Sequence, residues 1–157
     1  MRKTFTLFMS LMLISLIGSS QPWKELEKIK PEPFLQTTNS NYGSAVDVDG
    51  IYGIIGAPGA NADKGFANII KYNGSVWETD IMLEAPDGTG GDKFGSAVAI
   101  SGDYAFVGTH IQNDTGAVYI YYNNAGTWEY NDKLTVNDAD SGAWFGISMK
   151  IDGDYAV

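Results

Sequence analysis

One motif, written nearly three times at a fixed interval, constrains this chain more than anything else in it. Tyr42 to Ala57 reads YGSAVDVDGIYGIIGA, Phe94 to Thr109 reads FGSAVAISGDYAFVGT, and Phe145 to Val157 reads FGISMKIDGDYAV. The first two copies share seven of sixteen positions, and the second and third share seven of thirteen. The interval extends past the motif: Tyr42 and Phe94 stand 52 residues apart, and Phe94 and Phe145, Gly65 and Gly116, Trp77 and Trp128, and Leu83 and Leu134 each stand 51 apart. A period near 50 residues describes stacked supersecondary units, each unable to bury its apolar face without a neighbour.

The unit reads as strands. In the second copy, Ser96 to Ser101 and Tyr104 to Gly108 are apolar, uncharged runs separated by Gly102-Asp103, a two-residue hairpin signal. Runs without charge suit strands buried on both faces. A polar loop from His110 to Thr115 leads to Gly116 to Tyr122, rich in aromatic and β-branched residues, and then past Asn123 to Gly126 to a more polar strand from Thr127 to Thr135. The first copy follows the same scheme at Ala45 to Val48, Tyr52 to Ile55, Phe66 to Tyr72 and Val76 to Leu83. Its outer hairpin carries Asn73-Gly74, a type I′ turn signal. Glu84 to Lys93 and Thr135 to Trp144 read as crossovers between units. Four antiparallel strands per period predict an all-β fold of β-propeller blades, two complete and a third begun.

Phe94-Gly95 followed by Val107-Gly108, and Tyr42-Gly43 followed by Gly56-Ala57-Pro58, resemble the FG-GAP repeat of integrin α-chain propellers and of many bacterial secreted proteins. The likeness runs from Tyr42 to the last residue, with FG, GD-Y-A, the GAP tripeptide and a later Trp falling in order at one period. It implies a propeller in an extracellular recognition protein. Kelch repeats share the period but need a diglycine in each blade, and Gly90-Gly91 has no counterpart in the next repeat.

The chain before the repeats reads differently. Arg2 and Lys3, an apolar stretch from Phe5 to Ile17, and Gly18-Ser19-Ser20 have the layout of a secretory signal peptide over 1–20, with cleavage expected after Ser20. The apolar run is shorter than the ~18 residues a spanning helix wants, so no membrane span is expected after cleavage. Residues 21–40, punctuated by Pro22, Pro31 and Pro33, read as a lead-in, and 41–157 as a partial propeller. Closed propellers use about 4 to 8 blades, so the missing blades are expected in a longer chain. There is no cysteine, so strand pairing and burial must hold an exported fold together.

Charge excludes one class of partner. The net charge is −9, and a phosphate backbone requires clustered Lys and Arg, so nucleic acid is not expected.

Few residues are arranged for chemistry. His110 is the only histidine, and neither a Gly-x-Ser-x-Gly elbow nor a phosphate-cradling glycine loop occurs. The resemblance implies a calcium loop of D-x-D-x-D-G type between the FG and GAP strands, but Ser101-Gly102-Asp103 and Asp152-Gly153-Asp154 are too short to supply its ligands. Asp47 and Asp49 look like a remnant of that loop, though in strand periodicity they simply share one face near a turn. Asp138 and Asp140, with Asn137 and Gly142, have a spacing that suits oxygen ligands for calcium, against the alternative of an Asx-rich turn. They are the metal candidates; no other cofactor is expected. Trp77 and Trp128 recur at blade spacing and, with Tyr119, Tyr121 and Tyr122, read as residues that pack blade on blade, against the alternative of a sugar-stacking platform.

The expected function is therefore recognition: a secreted or cell-surface module that binds a protein or glycan, with no catalysis within these residues. Positions that vary between copies gather in loops such as Pro58 to Lys64 against His110 to Thr115, where rigid scaffolds place binding groups. The alternatives are the propeller of an extracellular hydrolase or lyase with its catalytic residues elsewhere, and a structural protein of the extracellular matrix.

Overall fold

The computed structural model describes residues 39–137 and 140–157. The signal segment 1–20, all but the last two residues of the lead-in 21–40, and Asp138 lie outside the described residues.

The described chain is all-β. Strands β1 (Val46–Asp49), β2 (Tyr52–Ala57), β3 (Phe66–Tyr72) and β4 (Trp77–Leu83) form one antiparallel sheet in the order β1-β2-β3-β4. Strands β5 (Ala97–Ser101), β6 (Tyr104–Thr109), β7 (Ala117–Asn124) and β8 (Thr127–Leu134) form a second in the same order, and β9 (Ile151–Asp152) with β10 (Tyr155–Ala156) starts a third. These are the blades predicted, with ends shifted by one or two residues.

The inner hairpins close as read. Asp49 pairs with Tyr52 and Ser101 with Tyr104, leaving two-residue turns whose glycines, Gly50 and Gly102, take φ of 58° and 54°. The outer hairpin of blade 1 is different from the type I′ turn expected at Asn73-Gly74. Asn73 is absent from the left-handed region. Its side-chain oxygen instead accepts the N–H groups of Ser75 (2.9 Å) and Val76 (3.0 Å), an Asx turn that widens the loop. Positive φ at both turn positions occurs in blade 2, at Ala125 (53°) and Gly126 (96°).

One continuous core joins the two blades. Ile54 and Ile69 on blade 1 and Val107 and Tyr119 on blade 2 are wholly buried within it, and Trp128 meets Tyr52 edge-on at 5.5 Å. The uncharged run of β5 is buried from Ala97 to Ile100, as read, whereas β1, which carries Asp47 and Asp49, is not. Strand β1 is largely exposed, with Val46 at 63% and Val48 at 58%. Side chains alternate along a strand, so Val46 and Val48 point away from blade 2 while Asp47 and Asp49 point toward it.

The FG and GAP residues make the blade joint. Phe94 is fully buried against Tyr119 (5.4 Å, edge-on), and its N–H donates to the Lys64 carbonyl at 2.9 Å. Phe145 repeats this bond to Thr115 at 2.8 Å. Within each unit the N–H of the FG glycine donates to the GAP glycine: Gly43 to Gly56 (2.9 Å), Gly95 to Gly108 (3.1 Å).

Candidate functional site

At one end of the blades lie the β2–β3 loop (58–65), the β6–β7 loop (110–116) and the crossovers into β5 and the third FG. The sequence folds them by the same device twice. Asn61, Ala62 and Asp63 take left-handed φ of 53°, 57° and 62°, and Asn113 and Asp114 take 51° and 61°. Asn and Asp tolerate this region because their short polar side chains bond locally. The reversal leaves the side chains of residues 61–63 and of 113 and 114 exposed. Backbone bonds fix the loops to the next crossover: Gly91 N–H to the Ala62 carbonyl (3.2 Å) and Lys93 N–H to the Asp63 carbonyl (2.7 Å).

A polar network sits beneath this end. The Tyr119 hydroxyl donates to Asp87, and the Lys133 ammonium pairs with the same carboxylate at 2.7 Å while lying 5.0 Å above the Tyr119 ring. Lys133 first, then Tyr119, hold the Asp87 carboxyl below its usual range. Burial, with the Asp87 hydrogen bond second, pushes the Tyr119 hydroxyl far up. Asp92 is buried and accepts the Thr89 N–H at 2.6 Å and the Thr89 hydroxyl at 3.1 Å, and the Thr109 hydroxyl donates to its carbonyl. Asp87 and Asp92 tie the 84–93 crossover to blade 2, and Thr89 braces Asp92 within the crossover, which is structural work.

Asp47 and Asp49 also serve the joint. Asp47 accepts the Ile100 N–H at 3.0 Å and Asp49 the Gly102 N–H at 2.7 Å, so two carboxylates of β1 satisfy the free edge of β5. Lys150 reaches Asp47 at 3.6 Å. Of the calcium pair, Asp140 is exposed and its carbonyl accepts the Ala143 N–H at 3.2 Å, as in a turn, while Asp138 lies outside the described residues. Among the described residues no three His, Asp or Glu side chains gather around a common point suited to a metal ion.

The periodic aromatics divide. Tyr119, Tyr121 and Trp128 are buried between blades, whereas Tyr122 lies half in solvent against Tyr104 (5.2 Å) and Trp77 packs on Tyr72 of its own hairpin (5.4 Å). A groove of about 340 Å³ runs between blade 2 and the β9–β10 hairpin, lined by Tyr104, Phe106, Ile120 and Tyr155. Tyr104 stands one repeat after Tyr52, which Trp128 covers, so this groove is the blade-packing space of the next joint.

His110 is half-buried, with Nδ1 3.0 Å from the Ser96 hydroxyl oxygen. Ser96 gives its own proton to the Gly108 carbonyl at 3.2 Å. In that arrangement Nδ1 carries a hydrogen and donates to Ser96, the reverse of what a general base for a serine nucleophile must do. Burial, then the charge of Lys93, lower the His110 pKa. Trp144, which motif spacing did not single out, lies edge-on to this imidazole at 6.3 Å with 55% of its surface exposed. The signal was present: Asn41 and Lys93 hold the same place before the first and second FG.

No helix among the described residues is long and apolar enough to cross a membrane. No curated protein matches the chain. The sequence model of the FG-GAP repeat matches residues 77–121, from β4 through the FG and GAP residues of blade 2 into β7. With that match on the blade whose joints use those residues, the chain carries an FG-GAP repeat over residues 77–121.

Proposed function

We propose that this chain is an exported recognition module that binds an extracellular protein or glycan through the loop end of its blades and does no chemistry itself. One observation carries the reading. Two loops that vary between repeats, 58–64 and 110–115, lie at one end of a repeated scaffold, with the side chains of 61–63 and of 113 and 114 in solvent. Binding groups held on loops above a fixed framework lose little freedom when a ligand docks. FG-GAP repeats occur in extracellular adhesion proteins, which supports the same reading by analogy of fold.

The test is an array of extracellular proteins and glycans probed with the whole exported chain, beside a variant in which 58–64 and 110–115 are replaced by Gly/Ser segments. Saturable binding that disappears in the grafted variant is expected. Binding indifferent to both grafts, or turnover of the bound ligand, would contradict the reading.

A further inference from the structure

We infer that Trp144 is a stacking platform for a neutral pyranose ring, flanked by His110, Ser96 and Lys93. The inference rests on the recognition reading and narrows it to one ligand class and one place.

Two independent observations single out Trp144. Its φ is 54°, a region that L-residues with bulky side chains avoid because Cβ meets the following carbonyl. The preceding repeats place Asn41 and Lys93 here, at φ of 53° and 59°, so the fold demands the conformation and the indole is the anomaly. Burial does not account for it, since 55% of the residue stays in solvent. A strained residue that the core does not need points to function.

Its surroundings choose the ligand. Indole offers a flat apolar face to the axial C–H groups of a sugar ring, and sugars need hydrogen-bonding groups around that face. His110 stands edge-on at 6.3 Å. With Nδ1 given to Ser96, its Nε2 is an acceptor for a sugar hydroxyl. Lys93 adjoins Ser96, whose N–H donates to the Lys93 carbonyl at 3.1 Å, and its ammonium supplies a donor. The chain's net charge of −9 disfavours acidic saccharides through its overall field, which leaves neutral ones.

The experiment measures binding of tetrasaccharides of glucose, mannose and N-acetylglucosamine to the exported chain and to Trp144→Asn, with thermal unfolding of both. Expected is saturable binding of at least one sugar, weakened about tenfold or more in Trp144→Asn, a loss of ~1.4 kcal/mol or more, with the unfolding midpoint equal or higher because Asn suits positive φ. Three results would overturn the platform: no sugar binds the parent chain, Trp144→Asn binds as well as the parent, or Trp144→Asn unfolds at a lower temperature, which would make the indole a packing residue. If a protein ligand is then lost on grafting the loops at 58–64 and 110–115, the recognition reading stands without the platform.

Discussion

The carbonyl oxygen of Gly95 occupies the place where a side chain on Gly56 would begin: a Cβ on Gly56 would stand 2.0 Å from it. Gly108 and Gly146 repeat the relationship at 2.1 Å. The second G of the pattern is thus glycine because the first G of the next repeat arrives against it. The motif that marks the repeat in the sequence is the contact that stacks the blades.

Alanine at either GAP glycine should therefore separate the blades locally. Overpacking a tight contact costs about 1–3 kcal/mol, and here the opposing atom is backbone with little freedom to yield. Gly56→Ala and Gly108→Ala should each lower the unfolding free energy, read from urea titration, by an amount in that range. Gly74→Ala, in a loop with nothing within 4 Å, should bear only the strain of its positive φ, roughly 1 kcal/mol. Equal effects at all three sites would count against the joint.

The carboxylates of β1 should act on named amides of β5. Asp47→Ala and Asp49→Ala remove acceptors from the Ile100 and Gly102 N–H groups, and hydrogen bonds to charged groups are worth about 1.5–3 kcal/mol. Amide exchange at Ile100 should accelerate in the first variant and at Gly102 in the second. The Ala99 N–H points to β6 and should be unchanged; acceleration there too would mean general loosening of the sheet.

Much of this was legible in the sequence, and what was not has physical reasons. Strand order and hairpin positions followed from the period because a repeat must bury the same faces each time. The bulges between Ile69 and Ile70 and between Ile120 and Tyr121 fall at equivalent places, yet Ile-Ile and Ile-Tyr look like ordinary strand. Asp47 and Asp49 read as a metal remnant because spacing shows two carboxylates on one face and not the amides opposite them. Trp144 escaped notice because φ is invisible in a residue name.

Acid should weaken the fold in two windows. Burial, and then Lys93, hold the His110 pKa below 6.5, so the unfolded chain takes up the proton more readily and stability falls as pH drops below about 6.5. Lys133 and Tyr119 hold Asp87 below 3.8. Its contribution is complete above that value and is lost as pH falls through the depressed folded one. In a series of unfolding midpoints against pH, His110→Gln should flatten the upper decline and Asp87→Asn the lower. An upper decline unchanged in His110→Gln would reassign it to another group.

The central claim is that consecutive repeats dock glycine on glycine, and nuclear Overhauser contacts in solution test it most directly. The Cβ position of Gly95 lies 3.3 Å from the Gly56 Cα, so a cross-peak between their Hα protons is predicted, with Phe94 ring contacts to Tyr119. Absence of the glycine cross-peak in a spectrum that shows the β1–β2 and β5–β6 pairings would mean intact blades joined in some other way, and would contradict the account.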